Sequence, residues 1–170
     1  MDAKIIGAII GAAAIIIAAL IGIIPKLLPE NPVDVDQPEL SISSPGNGDK
    51  VENSVEVKGS ISRDLPKDRY MWLLTNPKAC PNQWWPQNNG RITPVKGQWY
   101  AMAGIGGGEK DIDKEFVIAV ALVNNKDDQM FVEWLKEGRE TGNYSGIELP
   151  ASVDIIDQIS VTLSKVQKSS

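Results

Sequence analysis

The residues best suited to ligand chemistry lie in an aromatic stretch in the middle of the chain. All ten aromatic residues fall between Tyr70 and Tyr144, and Trp84 and Trp85 are adjacent. An indole ring has a flat apolar face and one polar N–H group, so it can stack on a sugar while neighbouring amides bind hydroxyl groups. We therefore predict a candidate site for carbohydrate or another small molecule, formed by Trp84, Trp85, Gln87 and Asn88.

The same tryptophans also fit a structural role, which is the alternative to a binding site. Large aromatic side chains usually bury most of their area, and adjacent residues of a strand point to opposite faces. One ring can then pack inside a β-sandwich while the other packs under a helix that carries Trp134.

The usual groups for nucleophilic catalysis are missing from this sequence. There is no histidine, and Cys80 is the one cysteine, so Cys–His and Ser–His–Asp catalysis are excluded. No segment places two carboxylates convincingly for glycoside hydrolysis. The glycine-rich residues 104–108 are not followed by the Lys-Ser/Thr pair of a phosphate-binding loop. We predict a non-enzymatic protein without a cofactor.

Four aspartates are the remaining candidates for metal chemistry. Asp111 and Asp113 follow the glycine-rich segment, and Asp127 and Asp128 are adjacent. Carboxylate oxygens are calcium ligands, but the spacing of these residues matches no EF-hand loop. We therefore interpret them as solvated turn residues and predict no metal site.

Residues 5–24 contain only Ile, Leu, Ala and Gly. A helix of this length reaches about 30 Å, the thickness of the hydrocarbon core of a bilayer. We predict that residues 1–24 form an uncleaved signal-anchor with a single transmembrane helix in the cell membrane. The alternatives are a cleaved signal peptide and a buried core helix. Lys4 and Lys26 flank the apolar run, which only weakly favours an inside N-terminus and an extracytoplasmic domain.

Small residues recur along one stripe of this predicted helix. Close approach of helix backbones in membranes uses such stripes, and Gly7 and Gly11 form a GxxxG pattern. We predict a homo-oligomer through the N-terminal helix, although glycine and alanine are frequent in any membrane helix. The residues of the stripe are Gly7, Gly11, Ala14, Ala18 and Gly22.

Residues 25–38 contain four prolines and predict a semi-rigid stalk. The net charge of the chain is −5, and it argues against a nucleic-acid partner, which would require a basic face.

Residues 39–165 carry the pattern of a mainly β domain, followed by a polar tail at 166–170. Alternating residues predict strands near 40–43, 55–61 and 155–163, and residues 92–95 and 98–102 predict two further strands. Residues 70–74 and 116–123 are apolar on both faces, which predicts central strands. Residues 127–137 predict one helix that ends at Gly138. We expect a β-sandwich with one inserted helix, and a small β-barrel is the alternative.

Two short motifs lie at the start of this domain. Residues 42–48 read Ile-Ser-Ser-Pro-Gly-Asn-Gly, and residues 55–59 read Val-Glu-Val-Lys-Gly. They resemble the first two strands of immunoglobulin-like domains on prokaryotic surface proteins. The resemblance covers about twenty residues and implies an immunoglobulin-like β-sandwich with an adhesion, assembly or spacer role and no catalytic residues. A single cysteine rules out the core disulfide of antibody domains.

These observations lead to a membrane-anchored, non-enzymatic surface protein that presents a β-sandwich for protein contacts or self-assembly. Three alternatives stay open. They are a carbohydrate or small-molecule binding module at Trp84 and Trp85, a cytoplasm-facing sensor attached to a membrane-effector helix, and a filament subunit whose N-terminal helix is buried in an assembly core.

Overall fold

A computed structural model describes residues 37–167 of the protein. The predicted anchor, the five residues of its small-residue stripe and most of the predicted stalk lie outside the described residues. Within residues 37–167, no helix is long and apolar enough to cross a membrane.

The described chain is mainly β and carries one α-helix. The strands are β1 (Leu40–Ser44), β2 (Lys50–Glu52), β3 (Ser54–Ile61), β4 (Tyr70–Pro77), β5 (Trp85–Pro86), β6 (Gln98–Gly104), β7 (Glu115–Val123) and β8 (Asp154–Lys165). A short 3-10 turn spans Glu109–Asp111, and helix α1 spans Asn125–Thr141 between β7 and β8.

The strands form two sheets. One has three strands in the order β1-β3-β6, and the other has five in the order β2-β8-β7-β4-β5. All neighbours are antiparallel except β2 and β8, which are parallel. The chain therefore passes from one sheet to the other within its first two strands.

The main core lies between the two sheets. Strand β6 alternates buried Trp99, Ala101 and Ala103 with exposed residues, and β8 contributes Ile159, Val161 and Leu163 from the facing sheet. Both strands were predicted, and the alternation predicted for the last one is confirmed, since each sheet turns one face to this core.

Gly59 in the middle of β3 makes room for the largest side chain of this core. A Cβ atom there would lie 2.2 Å from the indole of Trp99 and 2.0 Å from the carbonyl oxygen of Ser41. The indole packs over the glycine and donates a hydrogen bond to the carbonyl oxygen of Ser60 at 3.1 Å. A larger residue at position 59 would displace Trp99.

A second core lies on the outer face of the five-stranded sheet, beneath α1. Strands β4 and β7 are buried on both faces, so the prediction of two central strands is confirmed. Phe131 of α1 packs edge-to-face on Trp72 of β4, with ring centroids 5.2 Å apart. The helix covers the face that these apolar strands could not leave in water.

Helix α1 is longer than the sequence predicted. Asn124 caps its N-terminus by accepting a hydrogen bond from the backbone N–H of Asp127 at 3.0 Å. The helix ends at Gly142, which has a left-handed φ of 73°. The predicted end at Gly138 is wrong, because that glycine lies inside the helix and packs against the ring of Tyr144.

The predicted strand at residues 92–95 is also wrong. Only isolated bridges occur there, from Ile92 to Met71 and from Val95 to Gln98. Pro94 lacks the N–H group that a strand ladder needs. Lys96 and Gly97 both have positive φ and turn the chain into β6. The sequence analysis missed β2 and β5, which have three and two residues.

Candidate functional site

Trp84 lies on the helix side of the five-stranded sheet. Its side chain is half-buried and packs against the core beneath α1. Its backbone pairs with Ile147, with N–O distances of 2.8 and 3.0 Å. This arrangement matches the structural alternative for Trp84.

Trp85, the next residue, lies at the edge of the same sheet and outside both cores. Its indole N–H donates to the carbonyl oxygen of Tyr144 at 2.8 Å. The ring lies against Gly146, where a Cβ atom would come within 2.7 Å. The loop after α1 therefore holds the ring of Trp85 in one orientation.

The two predicted amide residues connect this edge to the opposite sheet. The Gln87 side chain donates to Thr75 Oγ1 at 2.9 Å and accepts from the backbone N–H of Gly104 at 2.8 Å. Asn88 Oδ1 accepts from the N–H of Met102 at 3.0 Å, and the Asn88 N–H donates to the Met102 carbonyl at 3.0 Å. Gln87 and Asn88 thus link the β5 edge of the five-stranded sheet to β6 of the three-stranded sheet.

A groove of about 280 Å³ runs between these two sheet edges. We call it the aromatic groove; its main lining residues are Trp85, Gln87, Asn88, Met102, Trp134 and Tyr144. Trp134 and Tyr144 meet edge-to-face, with ring centroids 5.4 Å apart, and the indole N–H of Trp134 donates to the Ser145 carbonyl at 2.8 Å. Of the four predicted site residues, Trp85, Gln87 and Asn88 line the groove and Trp84 does not.

Trp134 and Tyr144 were not predicted to belong to this site. They lie about fifty to sixty residues from Trp85 along the chain, so no local pattern relates them to it. The sequence contains one sign of the contact with Tyr144. A glycine inside a helix, such as Gly138, can mark the close approach of another group, although it does not identify that group as Tyr144.

Asp127 and Asp128 are buried, so their interpretation as solvated turn carboxylates is wrong. Asp127 accepts hydrogen bonds from Ser152 Oγ at 2.7 Å and from Asn124 Nδ2 at 2.8 Å. Each carboxylate has partners within the domain, as a buried charge requires.

Asp128 joins α1 to the sheet through a network of aromatic and basic groups. It is 0% exposed and accepts from Trp72 Nε1 at 3.0 Å and from Arg91 Nε at 2.6 Å. The guanidinium of Arg91 lies 4.3 Å from the ring centroid of Tyr70. The hydrogen bond with Asp128 raises the pKa of Arg91 above its ordinary value. The network therefore positions the helix.

Asp111 organises the glycine-rich loop between β6 and β7. It accepts from Lys114 Nζ at 2.8 Å and from the backbone N–H of Gly107 at 2.7 Å. These two contacts lower the pKa of Asp111 below its ordinary value. Asp113 in the same loop is exposed. Among residues 37–167, no group of three or more potential ligands is placed to hold a metal ion.

The outer face of the three-stranded sheet has no helix over it in the described part of the chain. Tyr100 and Met102 lie two residues apart on the exposed face of β6, and Val95 lines a shallow groove with Tyr100. We call these three exposed side chains the β6 patch: Val95 (63% exposed), Tyr100 (70%) and Met102 (45%). Next to them, Glu56 and Lys58 of β3 are exposed and form an ion pair at 2.7 Å.

Comparisons of the sequence with protein-family models and with curated proteins gave no match.

Proposed function

We propose that the protein is a membrane-anchored, non-enzymatic surface protein whose immunoglobulin-like sandwich makes protein contacts through the β6 patch. The observation that carries this proposal is the exposed cluster of Val95, Tyr100 and Met102. Apolar side chains that cluster on a protein surface mark contact sites, whereas single ones need no explanation.

The strand order supports the immunoglobulin-like assignment. The sheets β1-β3-β6 and β8-β7-β4-β5 correspond to strands A-B-E and G-F-C-C′ of immunoglobulin domains. Helix α1 then occupies the connection between strands F and G. The domain departs from antibody domains at strand C, where Trp72 faces α1 instead of the core between the sheets.

The first experiment places the domain relative to the membrane. Cys80 is exposed and free, so a membrane-impermeant maleimide can label it without unfolding the domain. We expect labelling in intact cells, and none in a Cys80→Ser variant. Labelling only after lysis would contradict the surface assignment and favour the cytoplasm-facing sensor.

A photo-crosslinking residue at position 100 tests the contact itself. We expect a covalent adduct with another polypeptide when the full-length chain in its membrane is irradiated. Val132 on α1 is 39% exposed and lies on a different surface, so the same probe at position 132 is the matched control. Equal adduct yields at positions 100 and 132, or none at either, would overturn the proposal.

A second candidate function is the binding of carbohydrate or another small molecule in the aromatic groove. The observation that favours it is the convergence of Trp85, Trp134 and Tyr144 around one groove. Gln87 already uses its side chain within the domain, so the rings would supply most of the contact. We expect glycan titration to change tryptophan fluorescence, and the change to be lost in Trp85→Ala but retained in Trp84→Phe. No response across a broad glycan panel would contradict this function.

A further inference from the structure

We infer that the partner of the β6 patch is a second copy of this chain, packed face to face about a two-fold axis perpendicular to the strands. This inference rests on the proposed function and identifies the partner of the same surface.

The exposed residues of β3 and β6 form two neighbouring columns on the uncovered face of the three-stranded sheet. In the β3–β6 register, Glu56 lies beside Met102, and Lys58 lies beside Tyr100. The β6 column is thus apolar, with Tyr100 and Met102, and the β3 column carries one negative and one positive charge. Ser41 and Ser60, which are hydrogen-bonded to each other at 2.9 Å, continue the face toward β1.

This pattern matches itself in one orientation. A two-fold axis perpendicular to the strands places β3 on β3 and β6 on β6, with the strand directions reversed. Glu56 of one copy then faces Lys58 of the other, and Tyr100 faces Met102. An axis parallel to the strands would instead place the Glu56–Lys58 ion pair on the apolar column, which desolvates the pair without adding an opposite charge from the other copy. Self-complementary surfaces of this kind form isologous dimers.

The backbone at the edge of β6 argues against an extended peptide as the partner. Strand addition needs free N–H and C=O groups along an edge. Here the backbone N–H of Met102 donates to Asn88 Oδ1, and its C=O accepts from the Asn88 N–H. The N–H of Gly104 donates to Gln87 Oε1. Gln98 and Val95 bond to each other through both backbone groups. The backbone groups of Tyr100 lie between these bonded residues, and one residue is too short to pair with an added strand. The partner must therefore contact the side chains of the exposed face.

Charge reversal in the full-length chain tests this arrangement. Glu56→Lys and Lys58→Glu each place like charges opposite each other, and both residues are exposed, so we expect folded variants. Like-charge contacts in an interface are unfavourable, and we expect the yield of dimer crosslinked through a photo-probe at position 100 to fall by roughly fivefold or more in each single variant. Mixing the two variants, or combining both changes in one chain, should restore the yield.

Two further results separate the inference from the proposed function. An adduct at position 100 with a different protein, unaffected by the charge reversals, would overturn the second copy and leave the proposed function standing. No adduct at all would overturn both. A dimer that survives the charge reversals but is lost in Gly11→Ile would belong to the predicted N-terminal helix and would also overturn this inference. Circular dichroism of each variant checks that the fold is retained.

Discussion

The two sheets of this domain turn very different outer faces to their surroundings. The outer face of the five-stranded sheet is covered by α1 and holds fully buried Trp72 and Leu74. The outer face of the three-stranded sheet is uncovered among residues 37–167 and carries charges, serines and the β6 patch. The buried apolar residues under α1 hold the fold together, whereas Val95, Tyr100 and Met102 are mostly exposed and add little buried area to it. Substitutions on the covered face should therefore lower stability, whereas those on the uncovered face should weaken the proposed contact and leave stability nearly unchanged.

The largest expected effect is at the centre of the covered face. Phe131→Ala removes a ring that is fully buried against Trp72, and the cavity should lower the free energy of unfolding by about 3–5 kcal/mol. Urea denaturation followed by tryptophan fluorescence measures this loss. The neighbouring Val132→Ala, at an exposed position, is the control and should change stability by less than about 0.5 kcal/mol. A loss of stability in Phe131→Ala as small as that in Val132→Ala would mean that α1 is not part of the cooperative core.

The next effect concerns the buried carboxylate beneath the helix. Arg91→Met leaves Asp128 charged and 0% exposed with Trp72 as its remaining side-chain donor, which should cost about 3 kcal/mol. Asp128→Asn leaves only the more exposed arginine without its partner, so its cost should be smaller. The comparison uses the same denaturation experiment. Arg139→Met, which removes a bond to the Asn89 carbonyl, is the control, and a loss as large as that of Arg91→Met would contradict the role of the charge.

A smaller, pH-dependent effect is expected in the loop that connects the two sheets. The folded state lowers the pKa of Asp111 below its ordinary value of 3.8, through its hydrogen bonds with Lys114 and the backbone of Gly107. Its stabilising contribution is therefore complete above that value and is lost as the pH falls through the folded-state pKa. Asp111→Asn should cost about 0.5–1 kcal/mol at pH 7 and nothing at the acid end of this window. Asp113→Asn is the control. A loss that persisted unchanged in acid would show that charge is not the cause.

The smallest effect on stability is expected on the uncovered face. Tyr100→Ser should change the free energy of unfolding by less than about 0.5 kcal/mol, because the side chain is 70% exposed. The same change should abolish crosslinking from a photo-probe at position 102. A large loss of stability would mean that Tyr100 belongs to the fold, and the contrast between the two faces would disappear.

Much of the fold was predictable because strand and helix periodicities are local. Strands β4 and β7 were identified by apolar residues on both faces, and one helix was predicted at residues 127–137, within the observed α1. The incorrect predictions involve residues whose type is compatible with two different local structures. Gly138 was interpreted as a helix end, but it is the packing site of Tyr144, and residues 92–95 were interpreted as a strand despite Pro94.

The candidate sites were harder to predict, since they depend on contacts between distant residues. Trp85, Gln87 and Asn88 were identified from composition, but their neighbours Trp134 and Tyr144 come from α1 and the loop after it. Asp128 was interpreted as solvated because its partners, Trp72 and Arg91, lie 56 and 37 residues away along the chain.

The sequence by itself determined a mainly β domain with one helix, because side-chain periodicity reports which faces must avoid water. It also excluded histidine-based catalysis, because composition alone decides that. Only the tertiary structure decided which sheet the helix covers, which of Trp84 and Trp85 lines the groove, and which aspartates are buried. Those outcomes depend on strand order and register, which bring together residues that no local pattern relates. The exposed pairing of Tyr100 and Met102 beside Glu56 and Lys58 is a consequence of that register.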